Sequence, residues 1–329
     1  MTSVLAWVVG RGGFLGSRVE ALLPREIADA ARWVPGVPKF SWTEPGRLTR
    51  ELEDAARAFG DETRARRSPW MVLWCAGAGG VGTSPQALRN ETHGLQRLLE
   101  SLSAGHAGAP STPGLLLHCS SGGGVYGSNP DLPLTEESRC RPISDYGRNK
   151  LVQETHVLRW AEATPGVSCL IARISNLYGP GQSLARPPGL IGRLSQSLLH
   201  RRPVNIYVPL DTLRDYIHVD DAARYILRCL RRALAGDRPV ALVKIIAAEQ
   251  SISIAGILGI FARVTKRAPR IIAVPQATTD QQPGRLRFRS RAWTDLAPRM
   301  VDLAAGIREV YDGHFSLFQR GRLPVPPGR

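Results

Sequence analysis

Short apolar runs separated by amphipathic stretches of helical length recur along the chain, the alternation expected of a parallel β-sheet with crossover helices. Apolar runs predict strands at Val4 to Val9, Met71 to Cys75, Leu115 to Cys119, Ser168 to Ile174, Val204 to Tyr207 and Leu242 to Ala247. The intervening periodicity predicts helices at Phe14 to Leu23, Arg47 to Phe59, Pro85 to Ser103, Tyr146 to Ala163, Leu190 to His200, Asp220 to Ala235 and Ile252 to Val264. The expected fold class is α/β, with a doubly wound parallel sheet. The stretch "ADAARWVPGVPKFSWTEPG" is broken by prolines where a second and third strand should lie, and the end "GRLPVPPGR" reads as a frayed tail.

With 329 residues, 43% of them hydrophobic and 22% charged, the chain has enough apolar material for the core of one large or two modest globular domains. It contains no apolar run of about eighteen residues, and "VLAWVV" is too short for a signal segment, so the expectation is a cytoplasmic protein without a membrane span. Cys75, Cys119, Cys140, Cys169 and Cys229 are odd in number and contain no C-x-x-C, which argues against a disulfide framework and a zinc site; no metal is expected. The net charge of +15 would ordinarily invite nucleic acid. Its arginines, however, run from Arg11 to Arg329 without a dominant block, and lysine is confined to Lys39, Lys150, Lys244 and Lys266. That distribution favours an anionic small molecule over nucleic acid as the partner.

Two local patterns carry chemistry. "GRGGFLG" places Gly10, Gly13 and Gly16 at three-residue spacing after the first predicted strand and at the opening of a predicted helix. Glycines there let the backbone turn sharply and approach a pyrophosphate, while the helix N-terminus offers free N–H groups. The same spacing also serves a tight strand-to-helix turn without a ligand. The second pattern is "SDYGRNKLVQE", in which Tyr146 and Lys150 stand four apart on one helix face. Use of a tyrosine as a base near neutrality needs a fall of about three pKa units, about 4 kcal/mol. One positive charge about 4 Å away at an effective dielectric near 20 supplies about that much. Taken alone, the spacing also fits an exposed helical pair.

The order of motifs resembles the extended short-chain dehydrogenase/reductase family, in particular its nucleotide-sugar epimerase/dehydratase branch. The motifs are "GRGGFLG", "VLWCAGAGGVG" from Val72, "SSGGGVYG" from Ser120, "PLTEESRCRPISDYGRNKLVQE" from Pro133, "ARISNLYGPGQ" from Ala172 and "RDYIHVDDAA" from Arg214. The resemblance implies a Rossmann-like dinucleotide-binding domain at 1–175 and a smaller, mainly substrate-binding lobe at 176–329, with 213–248 returning to the first domain. It implies that Tyr146 exchanges a proton with a sugar hydroxyl and that Lys150 supports the tyrosine and bonds the cofactor ribose. Gly10, Arg11, Gly13, Phe14, Leu15, Gly16, Cys75, Ala76 and Gly77, with Tyr146 and Lys150, would hold NAD, with NADP possible. Asn176 and Arg214 would meet the diphosphate of a nucleoside-diphosphate sugar, and the chain would form a homodimer. Leu95, Leu98, Leu99 and Leu102 have the spacing for a dimer face, and equally for packing on their own sheet.

The chain departs from that pattern in several places. The family's Ser or Thr before "VYG" is here Gly122, leaving Ser121 as the replacement and Ser120 as the fallback. Gly123 and Gly124 stand where dehydratases of the family carry an Asp-Glu pair, which argues against dehydration. The family's acidic residue at the close of the second strand cannot be located in the broken stretch 28–45, and Arg11 could meet a 2′-phosphate or simply face solvent. Glu91 occupies the family's usual asparagine position, with Asn90 one residue early. Asp220 and Asp221 read as helix caps. The expected activity is C4 epimerisation of a nucleotide sugar through a keto-sugar, with NADPH-dependent 4-ketoreduction and a non-catalytic cofactor sensor or scaffold as rivals.

Overall fold

The computed structural model describes residues 3–37, 39–77, 79–80, 82–106, 112–184, 188–274 and 284–325. Its strands are β1 (Val4–Val9), β2 (Ala30–Trp33), β3 (Trp70–Trp74), β4 (Gly114–Ser121), β5 (Val167–Ile174), β6 (Asn176–Tyr178), β7 (Val204–Ile206), β8 (Leu213–His218), β9 (Ala241–Ile246), β10 (Ser251–Ser253) and β11 (Ile271–Ala273). Its helices are α1 (Phe14–Glu26), α2 (Pro45–Arg66), α3 (Pro85–His106), α4 (Gly122–Tyr126), α5 (Asp145–Ala163), α6 (Leu190–His200), α7 (Val219–Leu234), α8 (Ile254–Thr265) and α9 (Leu303–Gln319).

Six parallel strands form the main sheet in the order β2-β1-β3-β4-β5-β9. Every residue of β3 and β5 is buried, as a strand covered on both faces requires. On one face α1 and α7 pack Val19, Leu23, Ile226 and Leu230 against Val8, Leu73 and Leu117. On the other, α2, α3 and α5 bring Leu52, Phe59, Leu98 and Val157 onto Trp7, Val72 and Leu116. Leu95, Leu98, Leu99 and Leu102 all lie in this second cluster and are at most 3% exposed. Of their two possible uses, the structure selects packing on their own sheet. Strand order reverses between β1 and β3, so the carboxyl ends of these strands open a crevice suited to a ligand.

A smaller layer follows β5. Strand β6 begins two residues after β5 ends and pairs with β8 in the sheet β10-β8-β6, while β7 and β11 form a parallel pair. Helices α6, α8 and α9 surround a third core of Leu194, Ile206, Ile257, Phe261, Ile307 and Val310. Helix α9 falls outside the periodicity expected from the sequence, because Gly306 and Gly313 weaken its helical signal. Asp302 starts it, accepting from Ala304 N at 3.0 Å and Ala305 N at 3.2 Å.

The proline-broken stretch does contain one strand, β2, and among its described residues no further strand follows, so β2 is an edge of the main sheet. Pro35 removes a ladder donor, and the edge is occupied instead by aromatic packing. Trp33 meets Trp7 edge-on at 5.1 Å between centroids, and Trp42 meets Trp74 at 6.0 Å. The capping expectation for Asp220 and Asp221 is corrected. His218 is the N-cap of α7, and both aspartates lie within its first turn. Asp220 pairs with Arg18 of α1, and Asp221 accepts from Val301 N at 2.7 Å, so both tie α7 to its neighbours. Among the described residues no helix is long and apolar enough to cross a membrane. The expected tail overlaps residues 326–329, which lie outside the described residues.

A buried ion pair sets α5 against β5. Arg173 Nη2 donates to Glu154 Oε2 at 2.7 Å, and Ser120 Oγ donates to Glu154 Oε1 at 2.6 Å. Arg173 Nη1 also donates to the Tyr126 hydroxyl at 2.9 Å. Replacing Glu154 by Ala would leave Arg173 charged and unpaired, and urea denaturation should show a loss of about 3–5 kcal/mol. The double variant Glu154→Met with Arg173→Met should lie closer to the parent than either single change.

Candidate active site

The glycine loop joins β1 to α1 with backbone pressed on backbone. Gly10 has φ +89°, and a Cβ there would lie 2.7 Å from Ala76 N. A Cβ on Gly16 would collide with the Gly10 carbonyl oxygen, so α1 can approach the loop only without a side chain at that position. Gly13 N donates to Gly10 O at 2.8 Å, and Gly13 is the N-cap of α1 without a side-chain hydrogen bond. The first N–H groups of α1, from Phe14 to Gly16, open on this loop. The Leu15 side chain is buried in the core, so only its backbone belongs to the loop. This cradle fits a dinucleotide pyrophosphate.

Arg11 and Arg32 converge on Glu20 of α1, with Nη1 atoms 3.6 and 3.8 Å from Glu20 Oε1. Arg11 is therefore engaged at the mouth of the loop, and Arg32 lies on β2, where a ribose-binding carboxylate would stand in an NAD site. The end of β3 continues into Cys75, Ala76 and Gly77. Cys75 Sγ is 3.7 Å from Cys119 Sγ, and that contact, followed by burial, pushes the Cys75 thiol well up, which keeps it protonated.

Across the crevice, Ser144 caps α5 by accepting from Gly147 N at 3.2 Å, which starts the helix just before Tyr146. A Cβ on Gly147 would strike the Gly124 carbonyl oxygen, so α5 docks on α4 through bare backbone. The Tyr146 ring stands between two further glycine positions. A Cβ on Gly79 would be 3.2 Å from its Cδ2, and one on Gly124 would be 3.2 Å from its Cε1. Lys150 Nζ lies 6.0 Å from the ring centroid. It donates to Glu91 Oε1 at 2.8 Å and to Gln153 Oε1 at 3.0 Å. Burial pulls the Lys150 pKa down, but Glu91 and then Tyr146 outweigh it, and the ammonium titrates above the ordinary lysine value. Gln153 escaped the sequence reading, although it lies one helical turn beyond Lys150.

The three glycines after Ser121 divide in function. A Cβ on Gly122 would meet the Phe288 ring at 3.1 Å and one on Gly123 would meet Leu286 at 3.1 Å, so neither position faces Tyr146. The same point 3.2 Å from Tyr146 Cε1, above Gly124, is 3.2 Å from Ser121 Oγ, which places that hydroxyl beside the tyrosine. Ser120 is tied to Glu154, so the fallback serves the buried ion pair. Tyr126 of "VYG" donates to Thr135 O at 2.8 Å; burial first, eased by Arg173, pushes its phenol up to about 12.

Strand register carries the site onward, since Ser121 pairs with Ile174 and β6 begins at Asn176. Asn176 and Arg214 line a cavity of about 260 Å³ with Arg193, Tyr207 and Tyr216. Asn176 Nδ2 donates to Asp215 O at 2.8 Å, and Arg214 Nη1 donates to Leu213 O at 2.9 Å and Gly284 O at 3.2 Å. Burial lowers the pKa of both Arg193, which is partly buried, and Arg214, which is buried, and both line this cavity. Arg193 was not picked out from the sequence. Its signal is a single arginine in the first turn of the otherwise uncharged run "LIGRLSQSLL". Among the described residues no cluster of His, Cys, Asp and Glu could hold a metal ion.

Residues 6–243 match the family described as the NAD dependent epimerase/dehydratase family. The chain belongs to this family, whose members are enzymes. A relative, UDP-glucose 4-epimerase of Mycolicibacterium smegmatis, is 31% identical over 123 residues, covering 37% of this chain and 39% of that one. The chain thus spans well under half of that curated relative. Among solved structures, MoeE5 in complex with UDP-glucuronic acid and NAD superposes with a TM-score of 0.76 at 22% identity, covering 97% of this chain and all of that one. RMD from Pseudomonas aeruginosa complexed with NADPH gives 0.74 at 22% identity, covering 95% of this chain and 97% of that one. These two show the shared Rossmann-type fold.

For this family member the Gly16 contact yields a direct test. Gly16→Ala forces α1 away from the Gly10 carbonyl, and calorimetric titration with NAD or NADP should show at least a roughly ten-fold loss of affinity. Far-UV circular dichroism should stay close to that of the parent.

Proposed function

We propose that the chain is an NAD(P)-dependent epimerase of a nucleoside-diphosphate sugar, acting at C4 through a keto-sugar. The observation that carries this reading is the Tyr146 ring standing in its glycine slot one helical turn from a buried Lys150 ammonium. The glycine loop, the start of α1 and Cys75 to Gly77 would hold the dinucleotide, whose nicotinamide accepts and returns hydride. Tyr146 takes the proton of the sugar hydroxyl and later gives it back. The Lys150 ammonium favours the phenolate and donates to the cofactor ribose. Ser121 holds the reacting sugar oxygen beside the tyrosine.

Arg214 and Arg193, with Asn176, supply the cationic and amide donors for the diphosphate in the cavity beyond β6. Permanently charged guanidiniums suit a phosphate, and their burial makes an anion the natural counterpart. Gly123 and Gly124 leave the site without the acid and base that expulsion of water would need, so the keto-sugar keeps its hydroxyls. In this reading residues 1–175 with α7 and β9 bind the dinucleotide, and the rest of 176–329 closes over the sugar. Two copies associate through the outer faces of α3 and α5, where Val152 is 47% exposed.

One observation favours a second reading, a 4-ketoreductase that consumes NADPH. Arg11 and Arg32 flank the loop where a 2′-phosphate would sit, and no carboxylate ends β2.

Two incubations separate the two readings, one with UDP- or dTDP-hexoses and a catalytic amount of dinucleotide, the other with a nucleoside-diphosphate 4-keto-sugar and equimolar NADPH. Epimerisation gives an axial/equatorial mixture at C4 by proton NMR with no net oxidation of cofactor, whereas the reductase oxidises NADPH one-for-one with a 4-keto-sugar. Tyr146→Phe should lower turnover about 10²–10⁴-fold while dinucleotide binding persists. Unchanged turnover would remove Tyr146 from the mechanism. Replacing Arg11 and Arg32 together by Ala should weaken NADPH binding about ten-fold or more and leave NADH nearly unaffected, because only the phosphate loses its partners.

A further inference from the structure

The Lys150 ammonium is not an isolated charge. It is 4% exposed, and Glu91 of α3 meets it at 2.8 Å with a side chain that is itself 9% exposed. Gln153 Nε2 donates to the same Glu91 oxygen at 3.2 Å and to Thr92 Oγ1 at 3.1 Å, and Thr92 Oγ1 donates to Asn149 Oδ1 at 2.8 Å. The loop after β3 makes room for this carboxylate: Gly77 has φ +144°, and a Cβ there would come 2.9 Å from Glu91 Oε1 and 3.3 Å from Lys150 Nζ. An ammonium has three N–H donors, and Glu91 and Gln153 take two of them, leaving one for the crevice.

We propose that Glu91 is a positioning residue of the active site: its carboxylate aims the Lys150 ammonium and offsets its charge, and so fixes the pH range in which Tyr146 and Lys150 work together. The inference rests on the epimerase/reductase reading of Tyr146 and Lys150. With a neutral amide at position 91 the tyrosine would face an uncompensated cation. With Glu91 it faces an ion pair, whose field falls off faster with distance. The other titratable groups around Lys150 are Tyr146 from α5, and His118 and Cys119 from β4, with Cys75 of the adjoining β3 end against Cys119. His118 is fully buried and held well below its ordinary pKa by that burial and then by Lys150, so it is neutral across the working range. The Cys75 thiol is protonated, which leaves Glu91 as the anion that answers the ammonium.

The sign follows for each limb of the pH profile. Removing the carboxylate favours the phenolate, so the acid limb moves to lower pH. It also strips the buried ammonium of its counterion while its burial remains, so the alkaline limb moves to lower pH as well. In the parent, the ammonium persists up to its raised pKa and is lost only as pH climbs through that value.

The test compares parent, Glu91→Gln and Glu91→Asp in pH profiles of kcat/KM and of the dissociation constant for NAD or NADP. Both kcat/KM limbs should fall by about one unit or more in Glu91→Gln, a ten-fold change in each ionisation ratio, and Glu91→Asp should restore much of the parental profile. Cofactor binding should weaken at a lower alkaline pH in Glu91→Gln. A uniform loss of rate with unmoved limbs would overturn the proposal in favour of a purely structural tie between α3 and α5. If Glu91→Gln does not fold, Glu91→Asn is measured in its place and read by the same criteria. Should no nucleotide sugar turn over in any variant, the epimerase/reductase reading fails, while the cofactor-binding profile alone still decides whether Glu91 governs Lys150.

Discussion

Close approach of backbone to backbone underlies the whole crevice. Helix α1 reaches the glycine loop because Gly16 carries nothing toward the Gly10 carbonyl, and α5 reaches α4 because Gly147 carries nothing toward that of Gly124. The first contact brings a helix N-terminus to the end of β1, and the second brings Tyr146 to the end of β4. Each costs conformational freedom in the unfolded chain, since glycine loses more entropy on ordering than other residues. The large two-sided core, with fully buried β3 and β5, supplies the compensating apolar burial.

The second constraint is charge kept out of water. Lys150 is answered by Glu91 and Arg173 by Glu154, each pair joining two elements. Lys244, fully buried on β9, donates to Ser290, which in turn donates to Glu136 at 2.5 Å, while its ammonium stands 4.6 Å from the Tyr225 ring centroid. Arg193 and Arg214 differ from these. Both lose solvation, and neither forms a salt bridge with a carboxylate among the described residues. A polar site left short of negative charge is one that gains by taking up an anion.

The sequence made legible those parts of the fold that depend on local pattern. The inner strands stood out as apolar runs, the helices by period, and the glycine loop and Tyr146/Lys150 by spacing. What stayed hidden depends on partners distant in the chain. Strand β2 is four residues long and alternates around Arg32 at an edge, so no apolar run marks it. The three-stranded layer β10-β8-β6 sets two three-residue strands, too short to read alone, against β8, whose LRDYIH is no apolar run. The partner of Ser120, the fallback to Ser121, is Glu154, 34 residues further along the chain, and no local pattern announces it. The places of Asp220 and Asp221 in the chain suit capping, whereas their partners lie on α1 and at Val301.

Among the described residues no strand pairs with the outer edge of β2, and this bears on how the protein behaves at high concentration. A sheet that ends in a long, flat, apolar strand offers its free N–H and C=O groups as a template for neighbouring molecules. This one ends in four residues with Arg32 exposed at the rim and the aromatic packing of Trp33, Phe40 and Trp42 close by. Brevity and a positive charge together make the margin a poor seed for intermolecular β-pairing, so the shortened sheet doubles as a guard against aggregation.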